Sequence, residues 1–203
     1  MTIDRALDEH DLDPDPIVQF QRWFDEAMAM DVPQPDAVCV ASLAADGTPD
    51  ARMVLLKAVD ERGFVFYTNY ESEKGRQLTA RPVAALVWHW SSLRRQVRVT
   101  GVASRIAAEE SDAYFSSRER GSQLSAWASR QSEVLPDRAG LDARMAEMED
   151  RFSGQQVPRP RWWGGIRVAP SAIEFWQGRA NRLHDRLRYL ATADGWRIER
   201  RAP

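Results

Sequence analysis

One cysteine in 203 residues excludes an internal disulfide and any multi-thiolate metal site. Cys39 falls inside the apolar run AVCVASL and is expected as a plain buried thiol. The three histidines, His10, His89 and His184, lie in separate segments without ligand spacing, so no metal is expected. No stretch reaches the ~18 consecutive apolar residues that a membrane span needs. The opening MTIDRALDEHDLDPDP is acidic and lacks the basic-then-apolar order of an export signal, which makes the cytoplasm the expected location. Charge of one sign is missing too: 28 Lys and Arg against 30 Asp and Glu leave a formal net charge of −2. No whole-molecule field then attracts nucleic acid or a membrane surface, and any anion site must be local. The G-x-S-x-G elbow, the P-loop and the G-x-G-x-x-G fingerprint are all absent, which argues against the hydrolases, nucleotide triphosphatases and dehydrogenases that use them.

What remains is ordinary globular material, 43% hydrophobic and 29% charged, enough for one domain with a core. Residues 1–16 are expected as a flexible acidic segment and 17–203 as a single domain. Asp15 and Pro16 stand where a helix cap and first turn belong, ahead of a stripe of Ile17, Phe20, Trp23, Phe24, Ala27 and Met28. AVCVASLA, ARMVLLKAVD and FVFYTN, separated by ADGTPD and ERG, read as antiparallel strands in a meander. A short helix ending before Pro82 follows, then strands VAALVWHW and RRQVRVTGVASRI, the second alternating Arg94, Gln96, Arg98 and Thr100 with Val97 and Val99. The middle is helical, with Leu141, Met145, Met148 and Phe152 on one stripe. WWGGIRVAPSAIEFWQG, broken near Pro170, and a hairpin turning at ADG close the chain. The fold class is mainly β with inserted helices (α+β), most simply an antiparallel barrel, because closure removes exposed edges.

Three basic groupings stand out. In RLHDR, read as a strand, Arg182, His184 and Arg186 share a face. Such a row suits a planar or phosphorylated anion, and equally a solvated edge strand whose charges discourage aggregation. In RMVLLK, Arg52 and Lys57 are five apart and face opposite sides of an unbroken strand, so they serve different ligands or the strand is bulged; charges snorkelling at the ends of a core strand is the plainer alternative. Tyr114, Arg118 and Ser122, spaced by four on a helix, share a face, which a solvated surface would also explain. Trp176 differs from the packing tryptophans in preceding RLHDR, where it offers a flat wall for a ring-shaped ligand.

Taken together and in order, RMVLLK, FVFYTN, RRQVRVTG, YFSSRERGSQLSAWASRQS, FWQG and NRLHDR resemble the pyridoxamine 5′-phosphate oxidases, from about Asp11 to the terminal RRAP. The resemblance implies a homodimeric FMN-binding split β-barrel with the flavin at the subunit interface. It further implies oxidation of pyridoxine or pyridoxamine 5′-phosphate to pyridoxal 5′-phosphate, with O2 reoxidising the flavin and H2O2 released. By motif, Arg52, Met53, Val54, Leu55, Leu56 and Lys57 would contact FMN, with Lys57 also meeting the substrate phosphate. Tyr67, Thr68, Lys74, Gln96, Gln131, Ser132, Trp176 and Arg186 would complete the FMN site. Tyr114, Arg118 and Ser122 would hold the substrate phosphate, and Arg182 and His184 would face the pyridine ring and its reacting carbon as the catalytic pair, Arg182 steadying charge and His184 orienting the 3-oxygen or assisting proton movement. The residue types agree: arginine, lysine and hydroxyl groups suit a phosphate dianion, and the flavin carries the redox step.

Two departures from the family pattern matter. Glu73 stands in SEKG where a basic residue often precedes the lysine, and no basic, tyrosine-containing segment that would fold over the substrate is found near the N-terminus. Two other functions share the resemblance: a split-barrel flavin oxidase acting on a phenazine-type ring, and a non-catalytic flavin or pyridoxal phosphate carrier.

Overall fold

The computed structural model describes residues 6–203. Helix α1 (Pro16–Ala29) starts where the sequence places it: the Asp15 side chain accepts the Ile17 N–H and Pro16 fills the first turn, where its missing N–H costs nothing. Strands β1 (Ala37–Leu43), β2 (Pro49–Asp60) and β3 (Gly63–Asn69) form the expected meander. Helix α2 (Glu73–Ala80), capped by Ser72, leads to β4 (Val83–Trp90) and β5 (Arg95–Arg105). Helices α3 (Ala108–Ser117), α4 (Arg120–Ala128) and α5 (Arg138–Arg151) follow. The chain ends in β6 (Trp163–Gln177) and the hairpin β7 (Asp185–Thr192) and β8 (Gly195–Arg200).

All pairings are antiparallel, in the order β3-β2-β1-β4-β5-β6-β7-β8, and β3 also pairs with β6, closing the first six strands into a barrel. The strand β6 makes closure possible. Its first half, Trp163–Val168, pairs with β3; its second half, Ala172–Gln177, pairs with β7; β5 runs beside both. The expected break near Pro170 is therefore a change of partner within one continuous strand. Proline cannot donate to a ladder, and the β5–β6 register shifts there between Thr100 and Gly101. Gly101 is required, since a Cβ on it would lie 2.1 Å from the Ala169 carbonyl oxygen.

Helix α1 packs on the barrel core. Phe20, fully buried, touches Phe64 and Trp88 with ring centroids 4.9 Å apart in both pairs, and Trp23 meets Phe175 at 5.2 Å. Met28 leaves the expected stripe and is exposed, because the stripe is wider than the face the barrel covers. A second apolar cluster joins α3, α4 and α5 through Phe115, Leu124, Met148, Phe152 and Trp163.

Other expectations change. Cys39 is only half-buried: Val38 and Val40 take the inner face of β1, which turns the thiol outward. Arg94 adopts a left-handed conformation, φ 52°, ahead of β5, so the polar alternation starts at Gln96. The flexible segment expected at residues 1–16 lies outside the described residues for 1–5. From Ala6 it is tied down, with Leu7 buried, its N–H donating to Asp185 at 3.1 Å, and Arg200 reaching Glu9 at 2.7 Å.

Candidate active site

Where β2, β3, α3 and α4 meet the start of β6, they enclose a cleft of about 480 Å³. Its floor is aromatic. Tyr67 stacks on Tyr114 at 3.9 Å and on Trp163 at 5.3 Å, with planes within 16° and 11°. Arg118 lies over the Trp163 ring at 4.6 Å, a cation–π contact. The guanidinium is half-buried, its Nη1 has no hydrogen-bond partner among the described residues, and burial pulls its pKa below the usual arginine value. A buried cation without a partner is costly unless an anion comes to it.

Lys74, on α2 and nearly buried, also lines the cleft. Its Nζ donates to Thr68 Oγ1 at 3.0 Å and Gln131 Oε1 at 2.8 Å. Burial, and then the nearby charge of Arg52, draw its pKa down to about 8. Lys57, placed at a bulge between Leu56 and Ala58, supplies a third cation and is paired with Asp36 at 2.9 Å. Ser125, Ser129, Asn69 and the Tyr67 hydroxyl add neutral polar groups, and burial pushes the Tyr67 pKa up. Among the described residues no carboxylate lines the cleft. Three cations, hydroxyls and a stacked aromatic floor suit a flat ring carrying phosphate.

Of the residues singled out in the sequence, Met53, Val54, Leu55, Lys57, Tyr67, Thr68, Lys74, Tyr114, Arg118 and Gln131 line this cleft. Arg52 and Leu56 turn to the inner side of β2. Leu56 is core, and Arg52 donates to Ser42 Oγ at 2.6 Å and pairs with Asp50. Of the alternatives for RMVLLK the bulge is present, but it lies at Lys57, so Arg52 and Lys57 still face opposite sides of β2. Ser132 lies in a neighbouring hollow, where its Oγ accepts the Glu73 N–H at 3.2 Å. Ser122 does not line the cleft, and the shared helical face with Tyr114 and Arg118 does not exist: Arg118 ends α3 with an extended ψ of 151°, and α4 starts afresh. The same break swings Arg118 over Trp163.

Gln96, Trp176, Arg186, Arg182 and His184 lie outside the cleft. Gln96 pairs with Trp176 and Trp176 with Arg186, a row across β5, β6 and β7. RLHDR is not a strand throughout. Ala180–Arg182 is a 3-10 turn with Asn181 and Arg182 left-handed, φ 56° and 61°, and β7 begins only at Asp185. Alternation therefore cannot align Arg182 and His184 with Arg186. Instead His184 packs on Trp176 at 4.6 Å, and its Nδ1 accepts the Arg179 N–H at 3.0 Å. Asn69, Ser125, Ala126, Ser129 and Trp163 line the cleft without having been singled out as ligand-contacting, since nothing local in their sequence marks them.

A barrel closed by one partner-switching strand, with a cationic, aromatic-floored cleft on its flank, defines a split-barrel protein. The chain belongs to the pyridoxamine 5′-phosphate oxidase family: residues 24–152 match the family model of that description, and residues 163–203 match the pyridoxine 5′-phosphate oxidase C-terminal dimerisation region. The pyridoxine/pyridoxamine 5′-phosphate oxidase of Rubrobacter xylanophilus is 57% identical over 198 residues, 98% of this chain and 91% of that one. The protein of the same name from Burkholderia vietnamiensis is 56% identical over 201 residues, 98% and 94% of the two chains. Among solved structures, PhzG from Burkholderia lata 383, in complex with tetrahydrophenazine-1-carboxylic acid, is 31% identical with a TM-score of 0.92 over 100% of both chains. A pyridoxamine 5′-phosphate oxidase-related, FMN-binding protein from Nostoc punctiforme shares the fold at 14% identity, TM-score 0.71, over 98% of this chain and 100% of that one. Among the described residues no helix is long and apolar enough to cross a membrane.

Proposed function

We propose that the chain is an FMN-dependent oxidase that converts pyridoxamine or pyridoxine 5′-phosphate to pyridoxal 5′-phosphate, with O2 as acceptor and H2O2 as second product, working as a homodimer in the cytoplasm. The observation that carries this reading is Arg118, a partly buried guanidinium over Trp163 whose Nη1 has no hydrogen-bond partner among the described residues, in a cleft that no described carboxylate lines. The residues present fit FMN: Lys74, Thr68 and Gln131 would hold its phosphate end, and Met53 and Leu55 would pack along it. When bound, FMN supplies the hydride acceptor. Arg118, Tyr114 and Lys57 would grip the substrate phosphate.

The second copy would bring the remaining residues. Gln96, Trp176 and Arg186 pair across neighbouring strands and His184 packs on Trp176, so with Arg182 nearby in sequence they would form a separate half-site; residues 163–203 match a dimerisation region, and Met53, Leu55, Val83 and Val102 leave apolar side chains exposed for an interface. With Nδ1 accepting from Arg179, the neutral form of His184 carries its proton on Nε2, which would make that atom a donor toward the hydroxyl oxygen on the substrate's pyridine ring. Arg182 would stabilise negative charge developing on the ring.

Anaerobic addition of pyridoxine phosphate to the FMN-loaded protein is expected to bleach the flavin band at ~450 nm. A protein that stays yellow with this substrate but bleaches with a dihydrophenazine carboxylic acid would move the assignment to phenazine-type chemistry. Lys74 adds a pH signature. Its folded pKa of about 8 lies below the ordinary 10.5, so between these values the unfolded chain holds a proton that the folded one has lost. The stability of the free protein therefore rises with pH across that window. A phosphate favours the charged lysine, so FMN affinity is expected to fall by up to about tenfold per pH unit above pH 8. Lys74→Arg should flatten that slope, and a slope equal in the two proteins would rule Lys74 out as its source.

A further inference from the structure

Glu174 is a carboxylate surrounded by more cations than it can balance. It sits on β6, 5% exposed. Arg186 reaches it through Nε at 3.3 Å and through Nη2 at 3.0 Å to each oxygen. Arg201 Nη1 lies 3.3 Å from the same carboxylate and Arg98 Nη1 3.5 Å. Strand register explains the gathering: Glu174 is opposite Arg98 on β5 and Arg188 on β7, while the next residue on the same face, Trp176, is opposite Gln96 and Arg186. Arg186 thus reaches Glu174 diagonally.

The C-terminal tail closes the arrangement. The Arg201 N–H donates to the Arg186 carbonyl at 2.9 Å, and Arg186 Nη1 donates to the Ala202 carbonyl at 3.0 Å. A guanidinium has five N–H groups in one plane. The carboxylate and the Ala202 carbonyl engage up to four of them, leaving at least one N–H free of these contacts on a side chain that keeps 21% of its surface accessible. Three guanidiniums to one carboxylate leave the cluster positive, so Glu174 orients Arg186 without cancelling its charge.

We propose that Glu174 and the C-terminal pair Arg201–Ala202 are positioning residues of the flavin half-site, fixing the plane of Arg186 beside Trp176 before FMN arrives. This rests on the reading that Arg186 meets FMN. An arginine already locked in its bound rotamer loses less freedom on binding, and the gain appears as affinity.

The test is FMN titration of the apo protein, followed by quenching of flavin fluorescence, for wild type, Glu174→Gln, Glu174→Asp and Arg201→Met, with sedimentation and circular dichroism as checks of assembly and fold. Glu174→Gln is expected to bind about tenfold more weakly and shift the visible band of the bound flavin, with dimer and fold unchanged. Glu174→Asp should recover part of the affinity, and Arg201→Met should lose about threefold. Wild-type affinity and spectrum in folded Glu174→Gln overturn the proposal. If that variant does not fold, wild-type binding by both Glu174→Asp and Arg201→Met overturns it instead. A wild-type protein that takes up no FMN overturns the flavin reading, and this proposal with it.

Discussion

Arg118→Met is expected to lower kcat/KM for pyridoxamine phosphate by about 150-fold, equivalent to ~3 kcal/mol, while FMN stays bound. The loss follows from the guanidinium's surroundings. Arg118 ends α3, lies 4.6 Å over Trp163 and 5.7 Å from Phe115, and leaves Nη1 buried with no hydrogen-bond partner among the described residues. Burial disfavours its charged form, so the free protein carries this charge at a cost. A substrate phosphate would remove that cost, and methionine cannot. The same reasoning predicts an opposite effect on stability. Removing an uncompensated, partly buried charge should raise the thermal midpoint of the free protein by about 2–4 °C. Steady-state kinetics and a melting curve together decide: a variant that melts lower and turns over normally would make Arg118 a structural cation–π contact.

Local signals in the sequence were sufficient for some elements and misleading for others. The Asp15–Pro16 start of α1 was legible because a cap and a fixed φ act within one turn. The strands β1–β5 were legible because turn residues bracket them. AVCVASL, however, is apolar on both faces, so alternation could not say which side faces the barrel, and Cys39 was placed inward. The end of α3 at Arg118 has no proline or glycine at the break, and Gly121 lies within α4. The aromatic floor has no local signal in the sequence. Tyr67, Tyr114 and Trp163 are far apart in sequence and meet only because β3 pairs with β6 while α3 packs across them. In RLHDR the alternating charges imitate a strand, whereas the backbone takes a left-handed turn that no residue type there demands.

That turn leads to the second large effect. Arg182→Leu is expected to keep the yellow FMN-bound dimer and lose about 10²–10³-fold in kcat, the size of effect seen when one preorganised charge stabiliser is removed from a reacting centre. Arg182 is exposed, and its φ of 61° is a conformation that costs a non-glycine residue about 1–2 kcal/mol. Strain of this kind persists only where neighbours hold it. Here Asp185, two residues beyond His184's predecessor, is pinned by the Leu7 N–H at 3.1 Å and Arg200 at 2.9 Å, while His184 fastens the turn to Arg179. The loop is anchored on both sides of an outward-facing arginine, an arrangement that fixes where its charge is presented. Leucine can take the same backbone and leaves those anchors untouched, so fold and flavin should survive and only the charge is lost. Unchanged turnover would remove Arg182 from the chemistry, and a colourless protein would place it in the cofactor site instead, beside Arg186.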